Sequence, residues 1–147
     1  MMKTLICLFP VLFPAAVYAH ALDGRYKLVR GDTGCASEMT IISKRRQVQV
    51  TLTTVHLRST DEGDLDLTFD ERYTFRNRQY RDLIRGETIE VGASRLARTL
   101  YSAEGYFQER MTIELLGRNR ARFLKRSEAG SAEGTSINTT KCLFRRK

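Results

Sequence analysis

Residues 47–52 read Gln47-Val48-Gln49-Val50-Thr51-Leu52, a stretch in which polar and apolar side chains alternate strictly. Alternation of period two puts every second side chain on the same face of an extended strand, so this pattern predicts a half-buried β-strand. Similar short runs recur along the chain, and glycines separate them at intervals typical of turns. The body of the chain is therefore predicted to be an antiparallel meander.

About eight strands can be placed in this way, and so many short strands in one small domain favour a closed antiparallel barrel over a two-sheet sandwich. One segment departs from the pattern of period two. Within residues 78–85, Tyr80, Leu83 and Ile84 have helical spacing, and Asn77 could cap the first turn. This segment predicts a short helix, with an edge strand as the alternative.

The amino-terminal segment carries Lys3 and then an apolar run that ends in small residues. This is the pattern of a secretory signal peptide. The run is shorter than the roughly 20 apolar residues of a membrane helix, so we expect no transmembrane segment once the signal is removed. We expect cleavage after Ala19 or after Ala21, with residues 1–21 as the signal and residues 22–147 as a single β-barrel domain.

Two cysteines, Cys35 and Cys142, remain in the body of the chain, because Cys7 lies in the predicted signal. An exported protein meets an oxidising environment, so we expect a disulfide bond between them and a periplasmic or secreted location. Closing a loop of about 100 residues stabilises a fold by up to roughly 4.7 kcal/mol. A metal site needs more soft ligands, and a redox pair is more usually Cys-x-x-Cys.

The two ends of the body resemble a known family. Residues 23–28, Asp-Gly-Arg-Tyr-Lys-Leu, resemble the first strand of lipocalin-like (calycin) barrels, which opens with Gly-x-Trp, and residues 141–145 resemble their closing segment. In such barrels an arginine near the end of the chain packs across the aromatic residue of the first strand. The resemblance therefore implies Arg145 over Tyr26, a cation–π contact worth about 0.5–2 kcal/mol.

The resemblance also implies a function, an exported and non-enzymatic binding protein that holds a small apolar or amphipathic ligand inside its barrel. Glu109 alternates in step with the apolar residues Met111 and Ile113, so it falls on the same face of the predicted strand. Its carboxylate therefore either points inward or lies at the barrel rim. Side chains fill the interior of many small barrels, and a packed interior would exclude the ligand. The candidate lining residues are Tyr106, Phe107, Glu109, Met111, Ile113 and Phe123.

A basic surface gives the alternative function. The chain has 25 Lys and Arg residues against 17 Asp and Glu, and removal of Lys3 with the signal leaves 24 against 17. Arginine pairs well with phosphates and carboxylates, so anionic lipid, polysaccharide or an acidic protein are candidate partners, whereas export removes the protein from nucleic acid. The same clusters could equally be solvated turns and edges. The candidate surface residues are Lys44, Arg45, Arg46, Arg78, Arg81 and Arg85, with Arg76 opening the second series.

Catalysis and metal binding receive little support from the sequence. The histidines are His20, which lies next to the predicted cleavage sites, and His56, which lies in a predicted strand. Catalysis by a nucleophile and a general base needs a histidine or an equivalent base close to the nucleophile. The sequence shows no recognisable set of residues of this kind. The acidic residues from Asp61 to Asp66 lack the full spacing of a calcium loop, and strand alternation makes them a solvated face. We therefore expect no enzyme activity, no cofactor and no metal.

Overall fold

A computed structural model of the chain describes residues 20–82 and 84–147, which form one antiparallel β-sheet. The predicted signal falls largely on residues 1–19, and these lie outside the described residues. The ten strands are β1 (Gly24–Gly31), β2 (Glu38–Lys44), β3 (Gln47–Thr60), β4 (Gly63–Phe75), β5 (Arg78–Arg81), β6 (Arg85–Val91), β7 (Arg95–Ser102), β8 (Phe107–Leu116), β9 (Arg120–Ser131) and β10 (Gly134–Arg146).

The all-β meander predicted from the sequence is confirmed. The strand order is β4-β3-β2-β1-β10-β9-β8-β7-β6-β5, so each strand pairs with its neighbours in the chain, except that β4 does not pair with β5. The first and last strands also pair with each other and lie at the centre of the sheet. The two edges, β4 and β5, are thus consecutive in the chain.

The prediction of a closed barrel is wrong, because no ladder of hydrogen bonds joins the two edges within the described residues. Strand β4 comes close to β6 and β7, so the sheet curls back on itself without closing. After β4 the chain passes through residues 76–77 into β5, which pairs with β6 and not with β4. Asn77 Oδ1 accepts a hydrogen bond from Val91 N at 2.6 Å, which holds the start of β5 beside β6 instead of along β4.

The predicted short helix is also wrong. Arg78–Arg81 form β5 and pair with residues 86–89 of β6, while Leu83 lies outside the described residues. Helical spacing over so few residues is a weak preference, and the ladder with β6 satisfies the backbone groups on one side of this segment.

A single apolar core fills the inside of the curled sheet. Met39 and Ile41 of β2 belong to the same cluster as Met111 and Ile113 of β8, although β2 and β8 are separated by several strands in the sheet. Such contact is possible only if the sheet wraps around its own inner face. The largest fully buried side chains are Tyr26, Phe75, Phe144, Leu22, Met39, Ile41, Leu96, Met111, Ile113 and Val50.

The disulfide predicted between Cys35 and Cys142 is present, with a sulfur–sulfur distance of 2.10 Å. It links the β1–β2 connection to β10 at the place where Gly31 pairs with Cys142. A Cβ atom on Gly31 would lie 2.8 Å from the carbonyl oxygen of Lys141, so only glycine leaves room for this approach. Such a bond is typical of an oxidising, extracytoplasmic setting.

The arginine that lies over the Tyr26 ring is Arg146, the residue after the one expected. Its guanidinium carbon is 5.3 Å from the ring centroid, and its Nη2 donates to Tyr26 Oη at 2.7 Å and to the carbonyl of Ala21 at 2.6 Å. Tyr26 pairs with Arg146 across the β1–β10 ladder, whereas Arg145 pairs with Lys27 and is exposed. Arg145 therefore points to the outer face.

We expect Arg146→Lys to lower the free energy of unfolding by about 1–2 kcal/mol, because an ammonium cannot reproduce the planar donor pattern over Tyr26. Denaturant unfolding measures this change. Arg145→Lys is the matched control and should stay within about 0.5 kcal/mol of the wild type. Equal losses in the two variants would contradict the assignment of Arg146.

Candidate anion-binding groove

The β2–β3 turn projects positive charge from one end of the sheet. Lys44 pairs with Gln47, so Arg45 and Arg46 form a two-residue turn between the strands. Arg45 has a φ of 54°, in the left-handed region. That conformation costs an L-residue roughly 1–2 kcal/mol, and glycine or asparagine would adopt it more readily. The turn thus presents two adjacent exposed guanidinium groups.

The β2–β3 turn and its flank supply three cations, Lys44, Arg45 and Arg46. A fourth cation, Arg76, comes from a different part of the chain. The β3–β4 register pairs Val48 with Phe75, so Arg76 follows at the point where β3 begins with Gln47. Together they line a groove of about 860 Å³ that contains no acidic side chain among its described lining residues. The lining residues are Ser43, Lys44, Arg45, Arg46, Gln47 and Arg76. We call this the basic groove.

A second groove of about 460 Å³ adjoins the basic groove and shares Arg45 and Arg46 with it. Its far side is formed by Asn77, by Val91 at the end of β6 and by Ala93 in the following turn. The two grooves together extend across the end of the sheet from the β2–β3 turn to the β6–β7 turn. The end of the sheet therefore offers an extended depression and not a single point contact.

The six basic residues predicted from the sequence form two groups with different electrostatic surroundings. Arg78 lies 3.8 Å from Glu87, and Arg85 lies 3.5 Å from Asp82. Hydrogen bonds from the backbone amides of Arg85 and Ile84 hold the pKa of Asp82 below its ordinary value, so this carboxylate stays charged. Acidic partners thus offset much of the charge on the β5–β6 hairpin.

The basic groove has no such compensation within the described part of the chain. The salt bridges there, counted to 4.0 Å, include none of the cations Lys44, Arg45, Arg46 and Arg76. Repulsion among four cations that have no carboxylate of the described residues within 4.0 Å favours the binding of an anion. The basic groove is consequently the more strongly positive of the two groups.

The predicted ligand-lining residues do not form one cavity. Met111 and Ile113 are fully buried in the core, and Phe123 is 5% exposed. Tyr106 lies in the turn before β8, is 47% exposed and donates to Glu128 Oε1 at 3.3 Å. The charge of Glu128 raises the pKa of Tyr106 above its ordinary value. Phe107 is half-buried.

A polar pocket does occur inside the sheet, at the end next to the disulfide. Its volume is about 210 Å³, enough to hold water or a small ligand. Glu71 lies on one wall and Lys125 and Ser127 on the other. Glu109 lies beside this pocket, with Oε2 3.4 Å from both Lys125 Nζ and Ser127 Oγ and a side chain that is 15% exposed. The pocket is thus lined by charged and hydroxyl groups together with core side chains.

Tyr73 donates a hydrogen bond to Glu71 at 2.8 Å next to this pocket. Burial raises the pKa of Tyr73 above its ordinary value of 10.0, and the hydrogen bond to Glu71 and its negative charge raise that pKa further. The neutral phenol is therefore the form that the folded protein favours.

This pKa shift predicts an alkaline loss of stability. Below pH 10 the phenol is neutral in both states, and above it the unfolded chain ionises first, so the free energy of unfolding falls as pH rises. We expect the free energy of unfolding of Tyr73→Phe to decrease less than that of the wild type between pH about 8 and about 11, as measured by denaturant unfolding. An equally steep fall in Tyr73→Phe would contradict this origin.

Comparison of the sequence with models of known protein families and with curated proteins found no match. Residues 20–82 and 84–147 contain no helix of the length and apolarity that a membrane span requires. The same residues contain no group of three or more His, Cys, Asp or Glu placed to hold a metal ion.

Proposed function

We propose that this protein is an exported, non-enzymatic binding protein that recognises a phosphate- or carboxylate-bearing component of the cell envelope through the basic groove. One observation carries the proposal. Arg76 of the β4–β5 connection meets the three cations of the β2–β3 turn around a groove that contains no acidic lining residue. Two chain segments far apart in sequence thus contribute to one positive surface.

The chemistry of arginine supports an oxyanion as the ligand. Its planar guanidinium pairs with two oxygens of a phosphate or carboxylate at once, and such charge-assisted bonds are about twice as strong as neutral ones. Three of the four cations in the basic groove are arginines. The excess of basic residues over the whole chain adds a positive field that attracts anions from a distance.

The proposed location is the periplasm or the exterior of the cell. The disulfide between Cys35 and Cys142 and the export signal predicted at the amino terminus support it. The curled antiparallel meander, with its first and last strands paired, supports the likeness to lipocalin-like barrels as part of the same proposal.

Loss of charge in the basic groove should weaken binding. We expect the triple variant Arg45→Gln, Arg46→Gln and Arg76→Gln to bind vesicles with anionic phospholipid at least about tenfold more weakly, since each charge near such a surface contributes about 1 kcal/mol. Vesicle sedimentation at low and high salt measures this loss. High salt should also weaken wild-type binding, because it screens exposed charges.

The matched control removes the same number of charges from the β5–β6 hairpin. Arg78→Gln, Arg81→Gln and Arg85→Gln together should weaken binding less, because Glu87 and Asp82 already offset two of these arginines. Equal losses would show a response to net charge alone and contradict a localised site. A parallel titration with a soluble anionic polysaccharide distinguishes its carboxylates from lipid phosphates.

The polar pocket favours a second candidate function, the carriage of a small ligand inside the sheet. The apolar side chains first considered for this role, Met111 and Ile113, are part of the packed core. The space that remains is bordered by Glu71 and Lys125, so a polar or zwitterionic ligand fits its chemistry better than an apolar one.

Native mass spectrometry tests this second function. We expect protein purified from its own envelope fraction to retain a small ligand that denaturation releases. Thr54→Trp fills the pocket from β3 and should abolish the retained mass without weakening vesicle binding by the basic groove. Wild-type protein that carries no extra mass would contradict the carrier function.

A further inference from the structure

The backbone nitrogen of His20 lies in a site formed by two side chains. Asp23 Oδ2 is 3.2 Å from this nitrogen, and Ser43 Oγ is 3.0 Å from it. Ser43 Oγ donates to Asp23 Oδ1 at 2.8 Å, so its lone pairs remain free to accept. Two acceptors, one of them a carboxylate, therefore converge on one nitrogen.

An amino group satisfies this arrangement better than a peptide group. A peptide nitrogen carries a single hydrogen, whereas an ammonium carries three and can donate to both acceptors at full strength. A positive charge also strengthens the bond to the Asp23 carboxylate. The geometry around the nitrogen thus fits a free amino terminus at His20.

The residues that follow His20 are part of the folded structure. The carbonyl of Ala21 accepts from Arg146 Nη2 at 2.6 Å, and Leu22 is fully buried with its carbonyl accepting from Tyr26 Oη at 2.7 Å. The His20 ring hydrogen-bonds through Nε2 to the carbonyl of Gly92, while its Nδ1 accepts from Leu22 N at 3.2 Å. Removal of residues 20 and 21 would therefore break the hydrogen bonds to Arg146 and to Gly92.

We propose that the chain is processed between Ala19 and His20, and that the new amino group of His20 is held by Asp23 and Ser43. An export peptidase hydrolyses this bond with one water. The Ala19 carbonyl carbon gains the hydroxyl as the peptide bond breaks, and the His20 nitrogen leaves with the proton as an amine. Of the two cleavage sites that the sequence allows, the one after Ala21 would remove the acceptor that Ala21 gives to Arg146.

The first test is the mass and amino-terminal sequence of the mature protein. The full chain is expressed in a bacterial host with an export pathway, and the exported form is purified. We expect His20 as its first residue and the intact mass of residues 20–147. A chain that begins at Leu22, or one that retains residues before His20, would overturn the proposal.

The second test measures how firmly the amino group is held. We expect acetylation of the mature protein's α-amino group by acetic anhydride at neutral pH to be about fivefold slower in the wild type than in Asp23→Asn, because the carboxylate disfavours loss of the ammonium proton. Peptide mass spectrometry follows the rate. Asp61→Asn removes a carboxylate at the β3–β4 turn and should react at the wild-type rate.

Ser43→Ala provides a second variant if Asp23→Asn does not fold. It removes one of the two acceptors and should also speed acetylation of the α-amino group, by a smaller factor. Equal acetylation rates in the wild type and in the variant that folds would contradict the proposed binding of the amino group by Asp23 and Ser43. Neither test measures anion binding, so a negative result here is independent of whether the basic groove binds anions.

Discussion

The first and last strands of the sheet pair directly, from Tyr26 opposite Arg146 to Gly31 opposite Cys142, and the other strands extend outward on both sides of this pair. Forming it requires the two ends of the chain to meet, which costs more entropy than any hairpin in the fold. Different chemistry stabilises each end of the ladder. The disulfide lies at one end, and the Arg146 guanidinium over Tyr26 lies at the other.

Alternation along the sequence predicted most of the strands but not β5, and it fails where a strand leaves the core. The apolar phase changes at Val55, which suggests a bulge or the sharp coiling of a barrel corner. Strands β3 and β4 nevertheless pair without a register shift as far as Thr60. Val55 and Phe69 are both exposed because this long hairpin extends past the core. The same alternation also identifies the arginine that meets Tyr26. Arg146 lies two residues after the buried Phe144 and so on the same face of the strand, whereas Arg145 lies on the opposite face.

The basic groove shows what composition alone cannot predict. Clusters of arginine in the sequence identify which residues are basic, but only the fold shows which of them have carboxylates nearby. Arg76 appears in sequence to belong with Arg78, and the strand register places it beside the β2–β3 turn instead. For the ligand-lining residues, parity correctly predicts inward orientation for Met111 and Ile113, but it cannot distinguish a filled interior from a hollow one.

The opening between β4 and β5 leaves one long strand with backbone groups free to pair along its outer side. Such an edge is a template for a second chain, and proteins commonly protect it with charge. Strand β4 carries Asp64, Asp66 and Asp70 on one face along its length. Another copy that approaches edge to edge would bring these carboxylates against their own counterparts. The carboxylates of β4 thus act against the pairing of two β4 edges, and within the described part of the chain they do so without any covering element.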